Sequence, residues 1–192
     1  DWSSDVCSSD LHRFVCLLGS YTRLSTMKKF NNIVLSITVA IIDFLYRDLP
    51  IQRFWVLETI ARAPYFAFLS VLHFKESLGL RTEEHYYLMK EHFAQTVNET
   101  EHLREMETRG GADRWYDRFI AYHLVLIYYW IMVGYYFVFP VDAYHLNIGI
   151  EYHAVETYLN YFWDHQDDAK IAEIAVDEMN HYIELERAME MV

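Results

Sequence analysis

The chain has 192 residues, of which 53% are hydrophobic and 17% aromatic, and it carries a formal net charge of −12. This length fits one domain, or one domain with a tail, and the aromatic content excludes an intrinsically disordered chain. Six glycines and three prolines are too few for a many-turned all-β chain. The strongly negative charge argues against nucleic acid as a partner, because phosphate binding needs a basic face.

The N-terminal segment is expected to lie outside the domain. Residues 1–11 resemble the translation of a sequencing-library adapter, and they have neither a helical nor a strand period. A native-like start, Met-Lys-Lys, follows only after residues 12–26, which are assigned to the same non-native or disordered tail. Cys7 and Cys16 both fall in this tail, so no disulfide framework is expected. A single domain is predicted over residues 27–192.

Apolar runs separated by helix-ending residues predict an all-α fold. We expect Pro64 to kink the second helix, Gly79 to end it, Thr82 to cap the third, and Pro140 to end the fourth. The predicted helices cover Ile33–Tyr46, Ile51–Leu78, residues 83–108, Ala112–Phe139, Ala143–Trp163 and Ala169–Met191.

Two of these segments raise the question of a membrane. Residues 119–141 contain no Asp, Glu, Lys or Arg and are a transmembrane candidate by hydropathy. The run is rich in tyrosine, however, and tyrosine hydroxyls favour the headgroup level over the hydrocarbon centre. Residues 33–46 are apolar but short for a span, which favours a buried or interfacial helix.

Two glutamates lie within apolar stretches of predicted helices. Glu58 is flanked by apolar residues, and Glu151 follows the long apolar run. A buried carboxylate is costly unless it is paired or bound to a cation. Both side chains are therefore candidate metal ligands.

Two Glu-x-x-His pairs occur elsewhere, Glu99 with His102 and Glu178 with His181. The i, i+3 spacing places both side chains of a pair on one helix face, where they can bind one ion. Chance alone gives roughly one such pair in a chain of this composition. Each pair also has charged neighbours, so a solvated helix face is the alternative interpretation.

The four segments together are more specific than either pair. One Glu from each of two helices and one Glu-x-x-His from each of two others is the ligand set of ferritin-like di-iron bundles. Four carboxylates balance the charge of two Fe(II) ions, and oxygen and imidazole ligands suit iron or manganese. The absence of nearby cysteine disfavours structural zinc. The ligand set predicts a ferritin-like four-helix di-iron bundle, and the additional apolar helices are so far either transmembrane or interfacial.

From about Ile33 to His181 the chain resembles the alternative oxidase family, in particular its plastid terminal oxidase (plastoquinol oxidase) branch. The motifs occur in the order of the family. They are LETIARAPYFAFLSVLHFKESLG at 57–79, NETEHL at 98–103, DRFIAYH at 117–123, FPVDAYH at 139–145, IEYHAVETY at 150–158 and VDEMNHY at 176–182.

This resemblance implies a di-iron quinol oxidase that reduces O2 to water with electrons from plastoquinol or ubiquinol, without proton pumping. It implies two iron ions bound by Glu58, Glu99, His102, Glu151, Glu178 and His181. It implies a catalytic tyrosine that supplies an electron, Tyr158, and hydrogen-bonding residues behind the ligands, Asn98 and Asp177. It implies a quinol pocket formed by Arg53, Leu57, His145, Ile150, Ala154 and Thr157.

The resemblance also implies a homodimer and a monotopic, interfacial attachment to a membrane of the thylakoid or bacterial inner-membrane type. The fold it implies is the four-helix di-iron bundle with additional membrane-surface helices, and the apolar segments 33–46 and 119–141 are expected to supply the quinol entrance. Two departures affect these expectations: residues 159–177 form a shorter connection than in the family, and Glu101 stands where the branch usually has His. A di-iron hydroxylase acting on a lipid or quinone precursor would use the same ligands and remains an alternative. An iron-storage bundle and a non-enzymatic helical membrane protein are further alternatives.

Overall fold

The computed structural model describes residues 27–192, and within this range all regular secondary structure is helical. The expectations for the adapter-like segment and the tail concern residues outside this range. The helices are α1 (Met27–Tyr46), α2 (Pro50–Ser77), α3 (Glu83–Thr108), α4 (Trp115–Val138), α5 (Pro140–Asp164) and α6 (Ala169–Met189). The all-α prediction is confirmed.

The ends of α2 and α3 follow the local signals in the sequence. Gly79 and Gly110 have φ angles of 78° and 85°, the left-handed conformation that glycine adopts without a steric penalty. The side chain of Thr82 accepts a hydrogen bond from the backbone N–H of His85, as predicted for an N-cap. Helix α2 continues through Pro64 without a break.

The starts of three helices differ from the prediction by three residues or more. Helix α1 begins at Met27, not at Ile33. Helix α5 begins at Pro140, not at Ala143, because proline at the first helical position loses no hydrogen bond and already has a helical φ. Phe139 is then the single residue between α4 and α5. Helix α4 begins at Trp115, three residues after the predicted start.

Helices α2, α3, α5 and α6 form a bundle in which α2 packs on α3 and α5 packs on α6. Helix α4 lies against α2 and α5 on the outside of this bundle. The side chain of Asn31 in α1 donates to the backbone carbonyl of Asp142 (2.8 Å) and accepts from the hydroxyl of Tyr135 (2.8 Å). Helix α1 is thereby attached to both α4 and α5.

Three helices of the described range, α1, α2 and α4, are long and apolar enough to cross a membrane by length and composition. The apolar window of α2 is 67% buried inside the protein, but those of α1 and α4 are only 11% and 17% buried. Burial thus explains the apolar sequence of α2 and leaves that of α1 and α4 unexplained. The length argument against α1 as a span was wrong, because α1 has 20 residues and begins at Met27.

Candidate metal centre

Each helix of the bundle contributes acidic or imidazole side chains to one place in the core. All six predicted ligands are buried, with exposures between 0% and 6%. Burial of this many ionisable groups is costly unless their charges are compensated. The bundle supplies them as Glu58 from α2, Glu99 and His102 from α3, Glu151 from α5, and Glu178 and His181 from α6.

These side chains form two overlapping groups of four, and in each group one ligand atom per residue lies within 4.8 Å of the others. Glu99 and Glu178 belong to both groups, whereas the other four residues belong to one group each. Two shared carboxylates between two groups are the arrangement expected for two neighbouring cations. The groups are Glu58, Glu99, His102, Glu178 and Glu99, Glu151, Glu178, His181.

The histidines lie against the shared carboxylates. His102 Nδ1 is 3.0 Å from Glu178 Oε1, and His181 Nδ1 is 2.8 Å from Glu99 Oε1. The other ring nitrogen of His102 is 3.2 Å from Asp177 Oδ2, to which Asn98 donates a hydrogen bond of 3.4 Å. A hydrogen bond from the second nitrogen of a ligand histidine orients the ring and increases its basicity. Asp177 and Asn98 therefore stand behind a candidate ligand, where the resemblance places them.

At least one oxygen of each carboxylate in the cluster is buried and accepts no hydrogen bond from any residue in the described range. A native core rarely leaves a buried polar atom without a partner, so these oxygens are suited to bind a group other than a protein side chain. The oxygens are Glu58 Oε2, Glu99 Oε2, Glu151 Oε2 and Glu178 Oε2.

The pKa shifts of the cluster also indicate that a positively charged group is needed there. Burial raises the pKa of Glu99 and of Glu151 well above the usual value, and neighbouring carboxylates raise both further. Burial acts to lower the pKa of His102, but the hydrogen bond with Glu178 and the negative charge of Glu58 outweigh it and raise this pKa to about 12. Two buried carboxylates that favour protons, beside an imidazole that retains its proton, mark a site of excess negative charge. Divalent cations in the cluster would neutralise that charge.

Glu58 and Glu151, which each belong to only one of the two groups, are called the outer glutamates. Each of them accepts a hydrogen bond from a tyrosine. The hydroxyl of Tyr158 donates to Glu58 Oε1, and its ring stacks on Phe54 with centroids 4.3 Å apart. Burial and the charge of Glu58 raise the pKa of Tyr158 well above 10, so the phenol stays protonated and donates. The hydroxyl of Tyr65 donates to Glu151 Oε1 at 2.6 Å.

An apolar cavity of about 320 Å³ lies beside the cluster, between α1, α2, α4 and α5, and reaches Glu58 and Glu178. Three residues of the predicted quinol pocket line this cavity: Leu57, Ile150 and Ala154. A substrate in this cavity would lie next to two candidate ligands.

Arg53 and Thr157 line a second, more polar cavity of about 380 Å³. Arg53 donates to Thr157 Oγ1 (3.3 Å) and pairs with Asp43 (2.5 Å). His153 borders both cavities. The predicted pocket residues are thus divided between two neighbouring spaces.

The sequence matches the family model described as Alternative oxidase over residues 22–191. The chain belongs to the alternative oxidase family. It is similar to Ubiquinol oxidase 4, chloroplastic/chromoplastic, of Arabidopsis thaliana, with 49% identity over 120 residues, or 62% of this chain and 34% of the relative. The chain therefore spans about a third of the length of that relative. No solved structure matches.

Alternative oxidases are di-iron enzymes, and the donor set of this chain fits that group. The fit rests on the four carboxylates, the two imidazoles and the unpartnered oxygen on each carboxylate. Oxygen and imidazole donors suit iron or manganese, and residues 27–192 contain no cysteine. These buried residues can therefore hold metal.

One predicted pocket residue lies apart from the others. His145 lines neither cavity, and burial and the positive charge of Lys28 lower its pKa. The sequence prediction omitted Tyr65, although this residue follows Glu58 by the same seven positions that separate Tyr158 from Glu151. It also omitted Tyr128, which lines the apolar cavity and whose buried hydroxyl has no hydrogen-bond partner within residues 27–192.

Proposed function

We propose that this chain is a membrane-associated quinol:oxygen oxidoreductase that reduces O2 to water at a di-iron centre and does not pump protons. Electrons come from plastoquinol or ubiquinol, the substrate class implied by the motifs and by the name of the Arabidopsis relative. The observation that carries the proposal is the contact between the six-residue cluster and an apolar cavity. A metal site alone fits many reactions, but an adjoining apolar cavity of this size suits a lipid-soluble substrate.

The reaction consumes one O2 and two quinols and yields two waters and two quinones, which balances four electrons and four protons. Iron bound by the six ligands supplies the redox chemistry with O2 that amino-acid side chains lack. The protein holds the ligands in the bundle, excludes bulk water and keeps a protonated phenol on Glu58. Tyr158 is the residue to which we assign the supply of one electron.

The two cavities have different parts in quinol binding in this proposal. The apolar cavity takes the ring, with Leu57, Ile150 and Ala154 on its walls and the Tyr128 hydroxyl available to a ring oxygen. Arg53 is held by Asp43 and Thr157 at the edge of the polar cavity, where a charged group can interact with the oxygens of the substrate. The set of pocket residues omits His145, which lies away from both spaces.

We also propose that α1 and α4 lie along one leaflet of the membrane. Helix α4 packs against α2, and α2 packs against α3, so a crossing α4 would carry α3 into the hydrocarbon. Helix α3 exposes Lys90, Glu101 and Arg104, which are costly in that environment. An interfacial orientation buries the apolar faces of α1 and α4 and keeps α3 in water. A quinol then enters the cavity from the membrane side.

Two further points follow from the family. We propose a homodimer, as the resemblance implies. The family match favours the quinol oxidase over a di-iron hydroxylase acting on a lipid or quinone precursor.

The decisive test of the function is iron content together with quinol-dependent O2 uptake by the purified chain. We expect about two irons per chain, two quinols oxidised per O2, and uptake that cyanide does not inhibit. The iron-stripped protein is the control and should be inactive. Iron without quinol oxidation, but with oxygen incorporated into a lipid, would favour the hydroxylase, and a folded helical protein that binds no iron would exclude both enzymes.

The proposed membrane orientation predicts the effect of a charge on α4. Trp130 is 64% exposed on the apolar face of this helix. Trp130→Asp is expected to weaken binding to phosphatidylcholine–phosphatidylglycerol vesicles by about tenfold or more, because it removes buried apolar area and adds a charge. Vesicle flotation measures the bound fraction. Trp163→Asp is the matched control, since Trp163 is 67% exposed beside the polar turn after α5. Equal binding by both variants would contradict the orientation.

A further inference from the structure

The outer glutamates of the cluster are held by crossed hydrogen bonds. Helix α2 carries Glu58 and, two turns later, Tyr65; helix α5 carries Glu151 and, two turns later, Tyr158. Each tyrosine donates to the glutamate of the other helix: Tyr65 to Glu151 Oε1 at 2.6 Å, and Tyr158 to Glu58 Oε1. Each of the two helices thus supplies one acceptor glutamate and one donor tyrosine to the other.

The two outer glutamates have the same pattern of hydrogen bonding on their carboxylate oxygens. In Glu58 and in Glu151, Oε1 accepts the phenolic hydrogen bond, whereas Oε2 is buried and has no hydrogen-bond partner among residues 27–192. Glu58 belongs to one group of candidate ligands and Glu151 to the other. Each outer glutamate therefore offers a single free oxygen to its own group.

A packing role does not account for the hydroxyl of Tyr65. The side chain is fully buried, and its ring lies against Phe68, His92 and His181 at centroid distances of 5.9–6.4 Å. A phenylalanine ring would fill the same space. The hydroxyl adds one feature, the hydrogen bond to Glu151, and a charge-assisted bond to a carboxylate is both short and directional.

We propose that Tyr65 is a positioning residue that holds Glu151 as a one-oxygen metal ligand, as the counterpart of Tyr158 on Glu58. This inference rests on the proposed metal centre and adds to it. The phenolic hydrogen bond occupies one lone pair of Oε1 and fixes the orientation of the carboxylate, which favours binding of a cation through Oε2 alone. Tyr65 thereby sets the coordination number of the cation in the group of Glu151 and His181.

The test uses the full chain, freed of iron and titrated with Co²⁺, whose visible absorption reports coordination number. The wild type is expected to bind about two Co²⁺ per chain. In Tyr65→Phe, one of the two sites should lose affinity by about 10–100-fold, the usual effect of removing a partner behind a ligand. Its absorption should also weaken as Glu151 binds through both oxygens and the coordination number rises.

Tyr136→Phe is the matched control. It also removes a buried hydroxyl from the core cluster that contains Tyr65, but this hydroxyl bonds only to Tyr144 (3.2 Å) among the described residues. We expect its Co²⁺ affinities and spectrum to equal those of the wild type. Circular dichroism of both variants checks that the helices are retained.

The outcomes separate this inference from the proposed function. Wild-type affinities and an unchanged spectrum in Tyr65→Phe would overturn the positioning role and leave the metal centre in place. Equal losses in Tyr65→Phe and Tyr136→Phe would assign the effect to packing and also overturn it. A wild type that binds no Co²⁺ would overturn both the inference and the di-iron centre.

Discussion

Replacing Glu178 by alanine is expected to abolish metal binding and quinol oxidation together. Glu178 is shared by both groups of candidate ligands, so its loss removes a donor from each. Its Oε1 also lies 3.0 Å from His102 Nδ1, and this nitrogen would lose its nearest carboxylate partner. We expect iron to fall from about two per chain to a trace, and O2 uptake to fall on the order of 1,000-fold or more. Metal analysis and an oxygen electrode measure the two quantities.

A second variant and a control make the Glu178 result interpretable. Glu178→Gln retains the size of the side chain and removes the charge, so it separates loss of a ligand from loss of packing. Glu173→Ala changes a glutamate of the same helix whose exposed side chain pairs with Lys170, and it should keep both iron and activity. If Glu178→Ala folds and still holds two irons, Glu178 is not a ligand of either iron.

The helices were largely predictable because their signals are local. An N-cap such as Thr82, or a glycine such as Gly79 in the left-handed conformation, acts through the few residues beside it. Pro140 follows the end of α4 as predicted, but the start of α5 was misplaced, because a proline that stops one helix can also be the first residue of the next. The start of α1 was missed because the periodicity of its first turn is weak.

The residues of the metal cluster were predictable from the sequence, but the contacts among them were not. The i, i+3 pairs and the lone carboxylates Glu58 and Glu151 identify candidate ligands from the sequence alone, since buried charge is costly. Which carboxylates are shared depends on how four helices pack, and no local pattern encodes that. The same limit explains Tyr65: its seven-residue spacing from Glu58 was visible, but its bond to Glu151 crosses between helices.

Long-range packing also divides the predicted quinol pocket. Leu57 and Ala154 face the apolar cavity, whereas Arg53 and Thr157 face the polar one. A helical spacing places residues on a face, but the position of the neighbouring helix α1 determines where that face is covered. Val34, Leu35 and Thr38 of α1 line the apolar cavity, and no local pattern shows which pocket residues this helix covers.

Tyr158→Phe is expected to keep the metal and lose most of the turnover. Phenylalanine preserves the stacking on Phe54 and removes only the hydroxyl that donates to Glu58. Iron should therefore remain at about two per chain, while quinol-dependent O2 uptake should fall about 100-fold or more, because the electron assigned to the phenol is missing. Tyr152→Phe is the control: Tyr152 lies on the same helix but is half exposed against Tyr182, and its loss should leave turnover unchanged.

Turnover alone does not separate an electron donor from a residue that positions Glu58, so a spectroscopic measurement is needed. The reduced protein is mixed with O2 in the absence of quinol and frozen, and electron paramagnetic resonance is used to detect a tyrosyl radical. The wild type and Tyr152→Phe should give this signal, with narrower lines when tyrosine is ring-deuterated, and Tyr158→Phe should not. A radical of equal yield in Tyr158→Phe would assign the electron to another tyrosine. Slow turnover with no radical in any of the proteins would leave Tyr158 with the positioning role that its bond to Glu58 already supports.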